Sequence, residues 1–597
     1  MIYKNKIKAA IYLSLLSFVY TTVAQTSEWQ WGLNGGGMND LRPRSSSYPD
    51  FERVTHIAVD GNNNSYFQAV YAGNMPSING NALLFNDSQD VVLYSTDCSG
   101  NFRWKKEFGS SGLVTSTGLD VALDGSVYAT GENTPKLGNS SADSYFDTDF
   151  VYQSNGLGPF DPGPHNNYPY LIKYDSNGVF QWVRFPQNGN QDIFESLLFQ
   201  SREVFVGLDG AIHWLVQMGE GTHLNGSVTV PAGTDPLPWM VLRYDPNGNF
   251  LGKTDIPLEN NITNLEMDFA YDPLLNRYLI TANRRTNSDI IFNGTAISNS
   301  TFLASMDAAT GAVLWVLQSN YNRNMFIEEI VVGDDSSIYL TGEAANNNGD
   351  DSFAGYFFDM VSASTGGGST SSHFAIALNP DGTLKWGNNG DNFGTAFLGI
   401  TSNAATVAVG GSMNTTDFWD GVSGTSGVPL GEDPAVVLLD RTDGSVVGIY
   451  QPEGTPGQRD EVTALATDSF GNFIAGGYMR QSLFVNGTPP TITKNGGSAD
   501  FWVARLATTD CSGVPLSNAE NKLDKASLSP NPTTGWVTIG TNATTKSVTL
   551  YDTLGRKVLE QQLDGDNRFN AGGLPQGIYM VAIQTENGTV ASRLVRE

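Results

Sequence analysis

The sequence predicts an all-β protein: a seven-bladed β-propeller closed by an N-terminal strand and followed by a small C-terminal β-sandwich. Three observations carry this. The 597 residues include 66 Gly, 31 Phe, 23 Tyr and 11 Trp but are only 16 % charged, a composition that favours strands and tight turns over helices. A two-hairpin unit recurs seven times, and four-stranded units repeated four to eight times build propellers. The strand that the seventh copy lacks stands at the start of the chain.

Residues 1–24 read as a signal peptide. Lys4, Lys6 and Lys8 precede the apolar run Ala9 to Tyr20, and Thr22-Val23-Ala24 offers the small residues of a cleavage site. The run is shorter than the ~20 residues that span a bilayer. Export is expected, with no transmembrane segment.

Residues 25–513 hold the repeat. An apolar strand, an Asp-x-x-Gly turn and a strand bearing Trp appear as Asp97-Cys98-Ser99-Gly100 with Trp104, and as Asp175-Ser176-Asn177-Gly178 with Trp182. They return as Asp245-Pro246-Asn247-Gly248, as Asp307 to Gly311 with Trp315, and as Asn379-Pro380-Asp381-Gly382 with Trp386. Asp440 to Gly444 and Asp510-Cys511-Ser512-Gly513 are weaker copies, and Gly252 and Gly448 stand where Trp is expected. A second strand–turn–strand precedes each, as in Val121 to Tyr128 and Ile330 to Tyr339. After Gly513 no Trp strand follows, but Trp31-Gly32-Leu33-Asn34-Gly35 repeats Trp386-Gly387-Asn388-Asn389-Gly390 at four of five positions. An N-terminal strand completing the last blade leaves no open edge. The tryptophans 31, 104, 182, 315 and 386 are expected between blades. This stretch resembles the secreted bacterial β-propeller repeat family, which is defined by architecture and implies little about ligand or chemistry.

Residues 514–526 read as a linker, and 527–597 as the sandwich, with alternating apolar residues between turn signals. Pro530-Asn531-Pro532, Thr534-Gly535, the Gly555 turn, Leu574, Gly577-Ile578-Tyr579 and the tail from Arg593 to Glu597 closely resemble the type A sorting domain of type IX secretion substrates. The resemblance implies that 527–597 engages the type IX machinery for outer-membrane crossing in a Gram-negative bacterium and is then usually cleaved. The product would be released or held at the cell surface. Its sorting residues are Pro530, Asn531, Pro532, Gly535, Gly555, Leu574, Gly577, Tyr579 and Arg593.

A net charge of −28 argues against phosphate backbones, so no nucleic-acid partner is expected. Two cysteines exclude a disulfide framework. The five histidines, 56, 165, 213, 223 and 373, have no zinc-binding spacing, and no exposed-serine elbow or phosphate loop is present. Acidic turns such as Asp60 to Asn64 lack calcium-loop spacing. Asp307 to Trp315 fits the repeat of quinone-cofactor dehydrogenases once only. We therefore expect no catalytic residues, no metal and no cofactor. Cys98 and Cys511 share a Thr-Asp-Cys-Ser-Gly context in units that neighbour each other in a closed ring, and the separation expected between such turns favours two unpaired thiols.

The expected function is a non-catalytic binding or adhesion propeller for an extracellular glycan or protein. The alternative is a secreted carbohydrate-active enzyme, a lyase or glycosidase, with carboxylates gathered from several blades. Binding groups concentrate on loops. The longest insertions, 132–167, 343–372 and 412–434, carry Tyr145, Phe146, Asp147, Asp149 and Tyr152; then Tyr356, Phe357, Phe358 and Asp359; then Asp417, Phe418, Trp419 and Asp420. Aromatics beside carboxylates suit sugar faces or a basic partner, and the plain alternative is that they pack the loops onto the ring.

Overall fold

The computed structural model describes residues 27–38, 52–84, 89–152 without 111 and 135–143, 168–186, 200–259 without 235–236, 265–299 without 285–288, 301–320, 325–358 without 346–351, 371–424 without 394–397 and 415–416, 432–511 without 486, 488 and 509–510, and 526–597 without 542–543, 553–555, 564–566 and 586–587. The expected signal peptide, most of the expected linker and Gly555 lie outside these.

The described chain is built of strands. Unit one pairs Arg53–Val59, Ser65–Tyr71, Asp90–Thr96 and Phe102–Ser110 antiparallel in sequence order. Five more four-stranded units follow, at residues 113–184, 200–255, 265–318, 325–393 and 399–450. The seventh contains Glu461–Thr467, Phe473–Met479 and Asp500–Ala507, and its fourth strand is Glu28–Gly36, with Leu33 opposite Val503. The first strand of each unit packs on the first strand of the next, and that of unit seven packs on that of unit one. There the Thr463 hydroxyl donates to the Val54 carbonyl, and Ser469 donates from both N and Oγ to Asn63. The middle strands are covered on both faces: every residue of Ser65–Tyr71 and Asp90–Thr96 is buried.

The Asp-x-x-Gly turns owe their form to local hydrogen bonds and their spacing to the neighbouring unit. Asp97 accepts from the amides of Ser99 and Asn101, both at 2.9 Å, the Asx arrangement that favours such turns. Gly100 has φ +80°, and a Cβ there would lie 2.7 Å from the Trp31 ring. The indole of Trp31 donates to the Cys98 carbonyl at 2.9 Å. Trp104 donates likewise to Ser176, Trp182 to Pro246 and Trp386 to Arg441. Each Trp thus leans on the turn of the following unit. Trp182 and Trp386 are buried; Trp31, Trp104 and Trp315 are half-buried, because an outermost strand leaves one ring edge open.

Two features differ from the sequence reading. Every unit carries a third, small hairpin between its second and third strands, such as Ser77–Ile78 with Asn81–Ala82 and Ile290–Phe292 with Thr295–Ile297. Several cross to the preceding unit: Gly35 pairs with Ile78, Ser110 with Ser144, and Gly390 with Trp419. Secondly, Cys98 and Cys511 are not free thiols. They form a disulfide with Cα atoms 6.0 Å apart. The expected separation assumed two equivalent hairpin turns. In unit seven the fourth strand comes from the other end of the chain, so Cys511 does not belong to a hairpin turn and reaches the turn of unit one.

Residues 526–597 have their own core. Ser527–Ser529, Trp536–Gly540 and Arg568–Asn570 form one sheet; Lys557–Gln562, Thr545–Tyr551, Gly577–Thr585 and Gly588–Arg596 form the other. Val537, Ile539 and Phe569 of the first share a buried cluster with Val548, Leu550, Val581, Ile583 and Leu594 of the second.

Candidate functional site

In the C-terminal domain the expected sorting residues that are described gather around the chain's last strand. Both Ser529–Pro530 and Asn531–Pro532 are cis. The Asn531 side chain donates to the Arg593 carbonyl at 2.7 Å and accepts from the Val595 amide at 2.8 Å. Thr533 continues this pairing by main chain, donating to Val595 and accepting from Glu597. Gly535 accepts from the Ala571 amide, Leu574 donates to Ala571, and Arg596 donates to the carbonyls of Ala571 and Gly572. Gly577 pairs with Arg596, and the Tyr579 hydroxyl donates to Pro575 at 2.7 Å. The Pro-Asn-Pro-Thr segment is a side-chain and main-chain clamp on residues 593–597.

The seven first strands surround a cavity of 780 Å3. Aligned on the turn that follows each strand, the position four residues before it is His56, Gly118, Glu203, Asp268, Glu329, Gly399 and Ala464 in successive units. Three neighbouring strands therefore place carboxylates at one level of the cavity, and Asp120 adds a fourth from the strand whose residue at that level is glycine. His56 reaches past Gly118 to Glu203, Nε2 to Oε1 at 3.0 Å, with its Nδ1 2.8 Å from Ser116. Burial raises the Asp120 carboxyl to about 7 and the Asp268 carboxyl to about 8, the latter helped by the charge of Glu203. Glu329 is raised well above its ordinary value by burial and then by Asp268 and Glu203. Two of the carboxyls also tie neighbouring strands: Asp120 accepts from the Val206 amide at 2.7 Å and Glu329 from the Ile400 amide at 2.9 Å. The level can hold protons near neutrality, hydrogen-bond a polar ligand and attract a cation. Among the described residues no group of three His, Cys, Asp or Glu is placed to hold a metal ion.

Sequence reasoning missed this level. The signal was a carboxylate inside the first strands of four consecutive units, as in Met267-Asp268-Phe269-Ala270 and Glu329-Ile330-Val331-Val332. It becomes visible only when the seven copies are superposed.

The expected loop residues lie on the small hairpins of units two, five and six and are not brought together: Ser144–Phe146 extends the sheet of unit one, and Phe418–Trp419 the sheet of unit five. Phe146, Trp419, Phe358 and Asp417 are buried. Asp417 accepts from the Asn414 amide, and burial raises its carboxyl to about 7. Asp420 has φ +49° and with Gly421 forms a hairpin turn that requires two positive φ values. Asp149 and Asp147 face Lys106 at 2.6 and 3.7 Å, and the Tyr356 hydroxyl donates to Asn389 at 2.6 Å. Tyr145, Phe357 and Phe418 are exposed. The Tyr152 side chain and Asp359 lie outside the described residues.

Residues 527–597 match the secretion system C-terminal sorting domain family. No curated protein shows significant sequence similarity to the chain. Among solved structures it is similar to a quinohemoprotein alcohol dehydrogenase from Comamonas testosteroni (10 % identity, TM-score 0.35, 81 % of this chain and 76 % of that one). It is similar to PorZ, described as an essential surface component of the type-IX secretion system of Porphyromonas gingivalis (10 %, 0.26, 91 % and 81 %). A third likeness is to BamB from Moraxella catarrhalis (12 %, 0.28, 80 % and 90 %). These are β-propeller proteins; at such scores they carry no argument about this chain's chemistry. The sorting domain indicates export by the type IX system to the cell surface or beyond it.

Proposed function

We propose that this chain is a type IX cargo whose seven units form a closed seven-bladed propeller, completed by the N-terminal strand, that serves as a non-catalytic binding or adhesion module outside the cell. The signal peptide at 1–24 starts export and the domain at 527–597 completes it. The carrying observation is that domain, in which the residues resembling the sorting motif converge on the last strand. An extracellular glycan or protein is the proposed ligand. Tyr145, Phe357 and Phe418 are the proposed contacts on the hairpins, with Asp147, Asp149, Tyr356 and Asp420 holding the hairpins that present them. A glycan and protein array probed with the purified protein tests this: loss of every signal in the triple variant Tyr145→Ser, Phe357→Ser, Phe418→Ser supports the placement, and signals unchanged in it reject it.

One observation favours the alternative of a carbohydrate-active lyase or glycosidase. Asp120 and Asp268, raised to about 7 and about 8, hold protons near neutrality inside a cavity, as general acids must, and burial raises Glu329 beside them. Against this, Asp120 and Glu329 are hydrogen-bonded to the next strand, a structural use that accounts for their burial. Release of reducing ends or unsaturated sugars from a polysaccharide panel, abolished by Glu329→Gln, would favour the enzyme.

A further inference from the structure

Within the seven units, neighbouring strands are joined by a turn or hairpin at every step but one. Between Asp500–Ala507 and Glu28–Gly36 no such connection exists, and the sheet of unit seven is held by its hydrogen-bond ladder and by packing such as that of Trp29 on Trp502. The turn at Asp97 to Asn101 is gripped from both sides of this seam. Trp31, on the N-terminal strand, donates to the Cys98 carbonyl and packs its ring on Gly100. Cys511, shortly after Ala507, is bonded to Cys98 itself. The corresponding turns of units two, three and six have the Trp contact and no cysteine, since the sequence holds only these two. The one covalent cross-link sits at the one seam the chain does not close.

We propose that the Cys98–Cys511 disulfide is a redox latch on the ring: it ties the end of the last sheet to the first unit across the N-terminal strand, and its reduction opens the molecule at this seam before any other. This rests on the closed-ring reading above. Closure forms one S–S bond; the two thiols give up two protons and two electrons to a more oxidising protein disulfide, which becomes a dithiol. An exported chain meets such oxidants on its way out. The latch lies before residue 512, so it holds whether or not the segment beyond is later removed.

The test is hydrogen exchange on the full chain, comparing the oxidised protein, the double variant Cys98→Ser, Cys511→Ser, and wild-type protein reduced under native conditions and alkylated. Without the bond, the amides of Glu28–Gly36 and Asp500–Ala507 should exchange about tenfold faster or more, while Arg277–Arg284 and Thr301–Asp307, on the far side of the ring, keep their protection. Seam protection unchanged by loss of the bond, or protection lost equally in unit four, overturns the latch. Absence of seam protection in the oxidised protein overturns the closed ring itself. If the double variant does not fold, the reduced wild type gives the same reading.

Discussion

Trp386 shows how one residue type at one spacing holds two units together. Its ring covers Gly444, where a Cβ would lie 2.5 Å from it, and its indole donates to Arg441 at 2.9 Å. Trp386→Ala should cost ~3–5 kcal/mol, the range for a large core aromatic, read by urea denaturation. Gly444→Ala should also destabilise, because φ is +77° there as well as the space being filled. The cavity carboxyls set a pH dependence. Unfolded, Asp120 and Asp268 titrate near ~4; folded, they titrate at about 7 and about 8. Between these limits the fold keeps protons that the unfolded chain has lost, so stability is full below the unfolded value and falls as pH rises toward the folded one. Buried His213 and His373, lowered to about 4 and about 3, act oppositely, but only below ~6.5. Melting temperature should therefore fall from pH 6.5 to 8, and Asp268→Asn should flatten the fall. A profile identical in the variant would show that Asp268 carries no shifted proton.

At the scale of the element, what was legible was what is local. The Asp–Gly turns follow from hydrogen bonds within five residues and recur seven times in the sequence, and the Trp that leans on the following unit's turn is displayed at 31, 104, 182, 315 and 386. The third hairpin was not legible because its strands are two or three residues long, too short for an alternating pattern; only turn pairs such as Asn79-Gly80, Asn293-Gly294 and Asp420-Gly421 mark it. That oversight matters for the insertion at 412–434. Read as a loop, it should shorten without loss of stability. In the structure Trp419 is buried in the core shared with Ile400, Val437 and Trp386, while its neighbour Phe418 is exposed and faces away. Trp419→Ala should cost ~3–5 kcal/mol and Phe418→Ser less than about 0.5 kcal/mol. Calorimetry on the pair separates the anchor from the presented surface, and equal effects would mean that the hairpin is not seated as described.

For the whole molecule, the parts that sequence could not place are those needing distant segments to meet: four carboxyls from four units, and a disulfide across 413 residues. The sorting domain is the opposite case, since its motif is read locally and the structure explains why those residues belong together. The Pro-Asn-Pro-Thr segment clamps residues 593–597, so the last strand is presented in one conformation rather than as a free tail. Deleting 527–597 should leave the propeller folded, because the domain has its own core, and should trap it in the periplasm. Asn531→Ala removes two hydrogen bonds to the tail at 2.7 and 2.8 Å, worth roughly 1 kcal/mol each, too little to unfold a sheet that still pairs Gly577–Thr585 with Gly588–Arg596. It should therefore lower export while the purified domain still folds, its melting temperature lowered by roughly 8–16 °C at most. Fractionation of cells expressing the variant reads the outcome. Normal extracellular levels from Asn531→Ala would mean that the clamp is architectural and recognition lies elsewhere on the domain, whereas normal levels from the deletion would mean that export does not use the domain at all.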